Sequence, residues 1–104
     1  MKDFKDKVAL ITGSAHGFGK VLAIESAKRG MKLALADVDE SALTETVKQA
    51  SDLGAEVISI PTDVTEETAV DHMVQTTKDK YGRIDLLINS AGVAVPGPIW
   101  ELPT

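Results

Sequence analysis

Glycines and an acidic residue follow two apolar runs of the chain, and their types and spacing suggest ligand chemistry. The run Val8-Ala9-Leu10-Ile11 leads into TGSAHGFG at residues 12–19, and Asp37 follows a second run, KLALA, at residues 32–36. Glycines allow a ligand to approach the backbone closely, and a carboxylate accepts hydrogen bonds from sugar hydroxyls. The combination suggests a nucleotide site. A glycine turn needed only for packing, with Asp37 as a turn or cap residue, is the structural alternative.

The glycine loop differs from two common phosphate-binding signatures. A P-loop requires Lys followed by Ser or Thr, but Lys20 is followed by Val21, and the pattern G-x-G-x-x-G fails because Leu22 takes the last position. What remains is a Gly-x-x-x-Gly-x-Gly turn after a strand. A helix that starts near Phe18 directs its free N–H groups and positive dipole end toward this turn. The turn therefore suits a pyrophosphate.

Alternating strands and helices position these residues. Apolar runs predict strands at 7–11, 32–36, 56–60 and 84–88. Helical spacing predicts helices at 18–29, at 39–53 after an Asp39 cap, and from a Thr65 cap to Gly82. The order β-α-β-α-β-α-β predicts an incomplete Rossmann-type α/β fold, a three-layer parallel sheet of order 3-2-1-4. We expect one partial dinucleotide-binding domain over residues 1–104, with an irregular tail at 93–104.

Composition narrows the functional classes. The chain has 104 residues, a net charge of −5 and no cysteine, so it offers neither a basic nucleic-acid surface nor a thiolate site. Its apolar runs are too short for a signal or a membrane span. No spacing of histidines and carboxylates suggests a metal site. We expect a cytoplasmic protein with neither nucleic-acid nor membrane partners.

At this point the motifs resemble those of the short-chain dehydrogenase/reductase family. The family fingerprint T-G-x-x-x-G-x-G is complete at residues 12–19, and Asp37 matches the acidic residue of NAD-preferring members. Asp63-Val64 matches a pair after strand 3. Asn89-Ser90-Ala91-Gly92 matches N-N-A-G after strand 4, with Ser90 replacing the second Asn. The resemblance implies a cofactor site made of Gly13, Ser14, His16, Gly17, Phe18, Gly19, Asp37, Val38, Asp63, Val64, Asn89, Ala91 and Gly92.

The resemblance also implies roles for these residues. Ser14 or the nearby backbone contacts a ribose and Asp63 the adenine amino group, although Asp63 equally suits a helix cap, and Asn89 braces the sheet. A carboxylate at Asp37 repels a 2′-phosphate and so favours NAD over NADP, while His16 pulls weakly toward NADP.

The family's catalytic pair, Tyr-x-x-x-Lys, is absent. The sole tyrosine, Tyr81, is followed four residues later by Asp85 and lies on the apolar stripe of the third helix, which predicts a core position. We therefore expect no catalytic residue in this chain. We expect the N-terminal portion of an NAD-dependent oxidoreductase acting on an alcohol or carbonyl of unspecified identity, inactive in hydride transfer without a C-terminal half.

Two other hypotheses remain. The chain is alternatively a truncated, non-catalytic module that binds a nucleotide or a partner. A Rossmann-type methyltransferase also places an acidic residue after strand 2, but the glycine loop and Asn-Ser-Ala-Gly argue against it. We expect a homo-oligomer, or association through the apolar edge of strand 4.

Overall fold

The chain folds into a parallel sheet with helices on both faces. The computed structural model describes residues 4–62 and 68–89. In these ranges the strands are β1 (Val8–Thr12), β2 (Lys32–Asp37), β3 (Val57–Pro61) and β4 (Leu86–Asn89), and the helices are α1 (Gly17–Lys28), α2 (Glu40–Asp52) and α3 (Ala69–Tyr81). The four strands lie in the order β3-β2-β1-β4, which confirms the predicted sheet.

Strand β1 is the centre of the sheet. Its residue Ile11 lies opposite Leu35 of β2 and Ile88 of β4, and all pairs are parallel. Each of its five residues is buried. A strand covered on both faces and paired on both edges must be apolar throughout, and VALIT is apolar apart from its final threonine.

The alternation of side chains along the strands divides the core into two clusters. Ala9, Ile11, Leu33 and Leu35 pack with buried residues of α1 and α2, such as Ala23 and Leu43. The intervening residues Leu10, Ala34 and Ala36 face the other way, toward Met73 of α3. Because successive residues of a strand point to opposite faces, one apolar run serves both layers.

Polar residues and glycines lie at the starts and ends of the helices, close to the positions that the sequence predicts. Asp39 is the N-cap of α2 and its Oδ1 accepts a hydrogen bond from the Ala42 N–H at 3.1 Å. Gly54, just past α2, has φ of +92°, a backbone conformation that glycine adopts without strain. Helix α3 begins at Ala69 rather than after the predicted cap Thr65, which lies outside the described residues.

Strand β4 begins two residues later than predicted, at Leu86 instead of Ile84. The cause is Asp85, whose N–H donates to the Val8 carbonyl at 2.9 Å and whose Oδ2 accepts from the Val8 N–H at 2.8 Å. Arg83 donates to the other carboxylate oxygen of Asp85. At the start of β1, the Asp85 carboxylate thus accepts the hydrogen bond that the Val8 N–H would otherwise donate to a backbone carbonyl of a neighbouring strand.

Candidate functional site

The glycine loop lies at the carboxyl edge of the sheet, beside the ends of β1, β2 and β4. Strand β1 ends at Thr12, and the chain passes through residues 13–16 into α1. The next strand along the chain, β2, lies on one side of β1, and β4 lies on the other. In doubly wound sheets this reversal of strand order leaves a crevice in which ligands bind. The predicted site residues that are described meet at this edge.

The backbone of the loop has the conformation that its glycines allow. Gly13 and Gly17 have φ of +64° and +54°, in the left-handed region. A Cβ added at Gly17 meets no atom within 4 Å, so the space beside this residue is open. His16, the N-cap of α1, makes no side-chain cap hydrogen bond to the first turn of this helix. The loop therefore combines open space with the N-terminus of a helix, as a phosphate requires.

Asp37 joins the glycine loop to the end of β2. Its Oδ2 accepts a hydrogen bond from the Ala15 N–H at 2.9 Å, and its Oδ1 accepts one from the Asp39 N–H at 2.9 Å. The residue is 9% exposed. Each carboxylate oxygen has two lone pairs, so both oxygens can still accept a bond from a ligand hydroxyl. Sequence reasoning predicted the ligand role and missed the bond to Ala15, since Ala15 and Asp37 are 22 residues apart.

Ser14 is fully buried, and its position is set by β2. Its hydroxyl donates to the Ala36 carbonyl at 3.2 Å, and its N–H donates to the same oxygen at 3.2 Å. The hydroxyl hydrogen of Ser14 is thus donated within the protein, while the hydroxyl oxygen can still accept a hydrogen bond. The structure places Ser14 beneath the loop rather than on its surface.

Large apolar side chains flank the loop on the solvent side. Phe18, in the first turn of α1, is 69% exposed, and Val38, after β2, is 70% exposed. Gly19 is buried within α1. Exposed apolar side chains beside a crevice suit contact with an aromatic base or ring of a ligand.

A contact that the sequence did not predict connects His16 to Asp39. The His16 Nε2 lies 2.8 Å from Asp39 Oδ2, and both side chains are exposed. The hydrogen bond to His16, the larger cause, and the Ala42 N–H lower the pKa of the Asp39 carboxyl. The sequence identified Asp39 as a helix cap, and the spacing of 23 residues to His16 carries no recognisable signal.

Asn89 connects β4 to β1 at the same edge. The Thr12 hydroxyl donates to Asn89 Oδ1 at 2.7 Å, and the two residues lie opposite each other in the sheet. Thr12 is buried and Asn89 is half-buried, so this hydrogen bond is partly buried. The geometry supports the bracing role predicted for Asn89.

Thr62 follows β3 near the same edge. Its N–H donates to the Asp37 carbonyl at 2.9 Å. Its buried Oγ1 has no hydrogen-bond partner within the part of the chain that the structure describes. Asp63, Val64, Ala91 and Gly92 lie outside the described residues, and their roles stay predictions.

Tyr81 lies far from this edge. Its hydroxyl donates to the Leu33 carbonyl at 3.0 Å, near the start of β2 and therefore at the amino edge of the sheet. Burial and the nearby Glu56 carboxylate raise the pKa of Tyr81 to about 12. This tyrosine is half-buried and belongs to neither core cluster, so the predicted core position is not found, and its hydroxyl proton is donated to the backbone.

Comparison with known proteins identifies the family. Residues 7–104 match the short chain dehydrogenase family model. The chain is 60% identical over all its residues to a CLA biosynthesis dehydrogenase/reductase of Lactiplantibacillus plantarum, and 44% identical over 90 residues to a 3-hydroxyacyl-CoA dehydrogenase type-2 of Drosophila melanogaster. The chain belongs to the short-chain dehydrogenase family, a family of oxidoreductases.

Solved structures agree with this assignment. A short-chain dehydrogenase/reductase from Burkholderia phymatum, solved in complex with NAD, is 45% identical and superimposes with a TM-score of 0.85 over 99% of this chain. The match covers 37% of that protein, and the chain covers 36% and 34% of the two curated relatives above. This chain thus spans little more than a third of the length of its relatives. Among the described residues, no helix has the length and apolar character needed to cross a membrane.

Proposed function

We propose that this chain binds the adenosine and pyrophosphate part of NAD, as the N-terminal portion of an NAD-dependent short-chain oxidoreductase. The observation that carries this proposal is the hydrogen bond from the Ala15 N–H to the Asp37 carboxylate, which holds an acidic group against the open glycine loop. A relative solved with NAD supports it, at 45% identity.

Different residues contact different parts of the cofactor. The pyrophosphate contacts the left-handed backbone at Gly13 and Gly17 and the N–H groups at the start of α1, including those of Phe18 and Gly19. The helix dipole adds attraction for the negative charge. A Cβ added at Gly17 meets no protein atom within 4 Å, so the space beside this residue is open to the pyrophosphate, although the left-handed backbone itself also favours glycine.

The adenosine contacts the ends of β2, β3 and β4. Asp37 accepts hydrogen bonds from the ribose hydroxyls through the lone pairs that Ala15 and Asp39 leave unused. Val38, Asp63 and Val64 contact the adenine, while Ser14 and His16 lie close to the ribose. Asn89, Ala91 and Gly92 line the channel toward the second ribose.

The charge of Asp37 sets the preference for NAD over NADP. A phosphate on the 2′-oxygen of the ribose brings close to two negative charges beside this carboxylate and removes a donor hydroxyl. Both changes weaken binding, since like charges repel and the carboxylate loses a hydrogen-bond donor.

Hydride transfer needs more than these residues. The nicotinamide of the bound cofactor carries the hydride, and the protein must exchange a proton with the substrate oxygen. No Tyr-x-x-x-Lys occurs in the 104 residues, and the proton of Tyr81 is held by the Leu33 carbonyl. We therefore propose that this chain binds the cofactor and that turnover of an alcohol or carbonyl substrate requires residues beyond it.

A pair of glycine variants tests the binding proposal. We expect isothermal titration calorimetry to show NAD⁺ binding to the chain, and Gly17→Ala to abolish it because the methyl group enters the phosphate space. Gly54→Ala is the matched control. It also places a methyl group at a left-handed glycine with no atom within 4 Å, but at the far end of α2. An unliganded chain, or equal NAD⁺ affinity in both variants, contradicts the proposal.

Activity is tested separately. We expect the chain to produce no NADH from NAD⁺ and a panel of secondary alcohols. Robust turnover by these 104 residues refutes the assignment of catalysis to residues beyond the chain.

A non-catalytic binding module is the second candidate, and the sheet edge favours it. Among the described residues, β4 pairs with β1 alone, and Leu86, Leu87 and Ile88 are half-buried apolar residues. An unpaired apolar strand associates with another strand. Light scattering after size exclusion distinguishes the two: a stable dimer that binds nucleotide indicates a module, whereas aggregation indicates part of a larger enzyme.

A further inference from the structure

Two loops of the candidate site are tied together by side chains that face solvent. His16 belongs to the glycine loop and Asp39 to the turn between β2 and α2, and their side chains meet at 2.8 Å. Both flank Asp37, which binds the Ala15 N–H on one side and the Asp39 N–H on the other. The contacts form a closed ring around the Asp37 carboxylate.

Each group of this ring has a defined orientation. Asp39 Oδ1 caps α2 through the Ala42 N–H, which leaves Oδ2 to accept from the imidazole of His16. The Nε2–H of His16 is thereby donated to Asp39 and not to a ligand. A negative ligand group arriving beside Asp37 then meets a second carboxylate, and the Nε2–H of His16 is already donated to that carboxylate.

From this geometry we infer that Asp39 is a second determinant of cofactor specificity, acting as a positioning residue that holds His16 away from a 2′-phosphate. The inference rests on the proposed function, because it concerns the same adenosine site. The ligand it favours is a dinucleotide whose 2′-oxygen is a free hydroxyl. Asp37 excludes the phosphate by its own charge, and Asp39 excludes it by adding charge and by holding the imidazole of His16.

The variant Asp39→Asn separates this role from helix capping. Asparagine caps a helix as well as aspartate does, so the bond to the Ala42 N–H is retained. With its single oxygen engaged by Ala42, asparagine offers His16 only an NH2 group, which cannot accept a hydrogen bond from the Nε2–H, so the imidazole is no longer held by a carboxylate. Asp52→Asn is the matched control: it removes the same charge from the far end of α2, where Asp52 pairs with Lys48 at 3.2 Å.

The measurement is the dissociation constant of NAD⁺ and of NADP⁺ by calorimetry at pH 6. We expect Asp39→Asn to lower the ratio of the NADP⁺ to the NAD⁺ constant roughly fivefold, the scale of one exposed charge interaction. Asp52→Asn leaves the ratio unchanged. In the double variant His16→Ala/Asp39→Asn most of the gain for NADP⁺ is lost, which a capping role alone does not produce.

The outcomes are distinguishable. An unchanged ratio in Asp39→Asn overturns the inference, as does a double variant that behaves like Asp39→Asn, since His16 then takes no part. In both cases NAD⁺ binding to the unmodified chain leaves the proposed function standing. If the unmodified chain binds neither nucleotide, the proposed function fails and the inference fails with it.

Discussion

Replacing Asp37 should destabilise the protein even when no nucleotide is present. Replacing a residue that contacts only a ligand changes the stability of the ligand-free protein little. Asp37 instead accepts hydrogen bonds from two backbone N–H groups, at Ala15 and Asp39, each at 2.9 Å. Ala15 is 3% exposed, so its N–H cannot turn to water if the carboxylate is removed.

The expected loss follows from these two bonds. A hydrogen bond to a charged group contributes about 1.5–3 kcal/mol, and a buried donor left without an acceptor costs about 1–3 kcal/mol. The Asp39 N–H lies in an exposed turn where water replaces the lost acceptor, so Asp37→Ala should lower the free energy of unfolding by about 2–4 kcal/mol. In Asp37→Asn the remaining oxygen still serves Ala15, and the loss should be about 1–2 kcal/mol. A domain of this size has about 5–15 kcal/mol in total.

Urea denaturation followed by circular dichroism, without nucleotide, measures these losses. Asp52→Asn, at an exposed position, provides the control and should change stability by less than about 0.5 kcal/mol. If Asp37→Ala unfolds at the same urea concentration as Asp52→Asn, the bond to the Ala15 N–H does not stabilise the loop. The reasoning that joins the loop to β2 is then wrong.

Two further predictions concern the amino edge of the sheet. Arg83 and the Val8 N–H lower the pKa of the Asp85 carboxyl in the folded protein. The Asp85 carboxylate therefore stabilises the folded state fully above its unfolded pKa of about 3.9, and this stabilisation is lost as the pH falls through the folded pKa. Asp85→Asn should therefore cost about 1 kcal/mol at pH 7 and progressively less below pH 4, as measured by urea denaturation across pH; a pH-independent difference contradicts this. Tyr81→Phe, which removes the bond to the Leu33 carbonyl, should cost about 1 kcal/mol of stability and leave NAD⁺ affinity unchanged. Loss of NAD⁺ binding without loss of stability would place this tyrosine in the site.

The strands and helices were predictable because the sequence patterns that define them are local. The strand VALIT is buried in full, as its apolar run predicts, and Asp39 caps α2 as its position predicts. The order of the sheet follows from the alternation of elements, since right-handed crossovers leave few arrangements. The late start of β4 was not predicted. It depends on the side chain of Asp85 reaching Val8, 77 residues earlier in the chain.

The sequence predicts residues for the candidate site but not the contacts among them. Asp37 and the glycines were identified by their spacing along one strand and one turn. The bond from Ala15 to Asp37 and the contact of His16 with Asp39 join residues more than twenty positions apart, and each depends on the path of a loop. Sequence motifs report which groups a ligand meets. They do not report which of those groups the protein already uses.

The pairing of β1 with β4 has a consequence for the order in which the chain folds during synthesis. Thr12 and Asn89, which share a hydrogen bond at the end of these strands, are 77 residues apart. At about 5–20 residues per second, translation separates them by roughly 4–15 seconds. During that interval β1, the most apolar strand of the sheet, has one edge without its native partner, although β2 has already been made. The nascent chain therefore carries an unpaired apolar strand edge, prone to association, at the future centre of the sheet until β4 emerges.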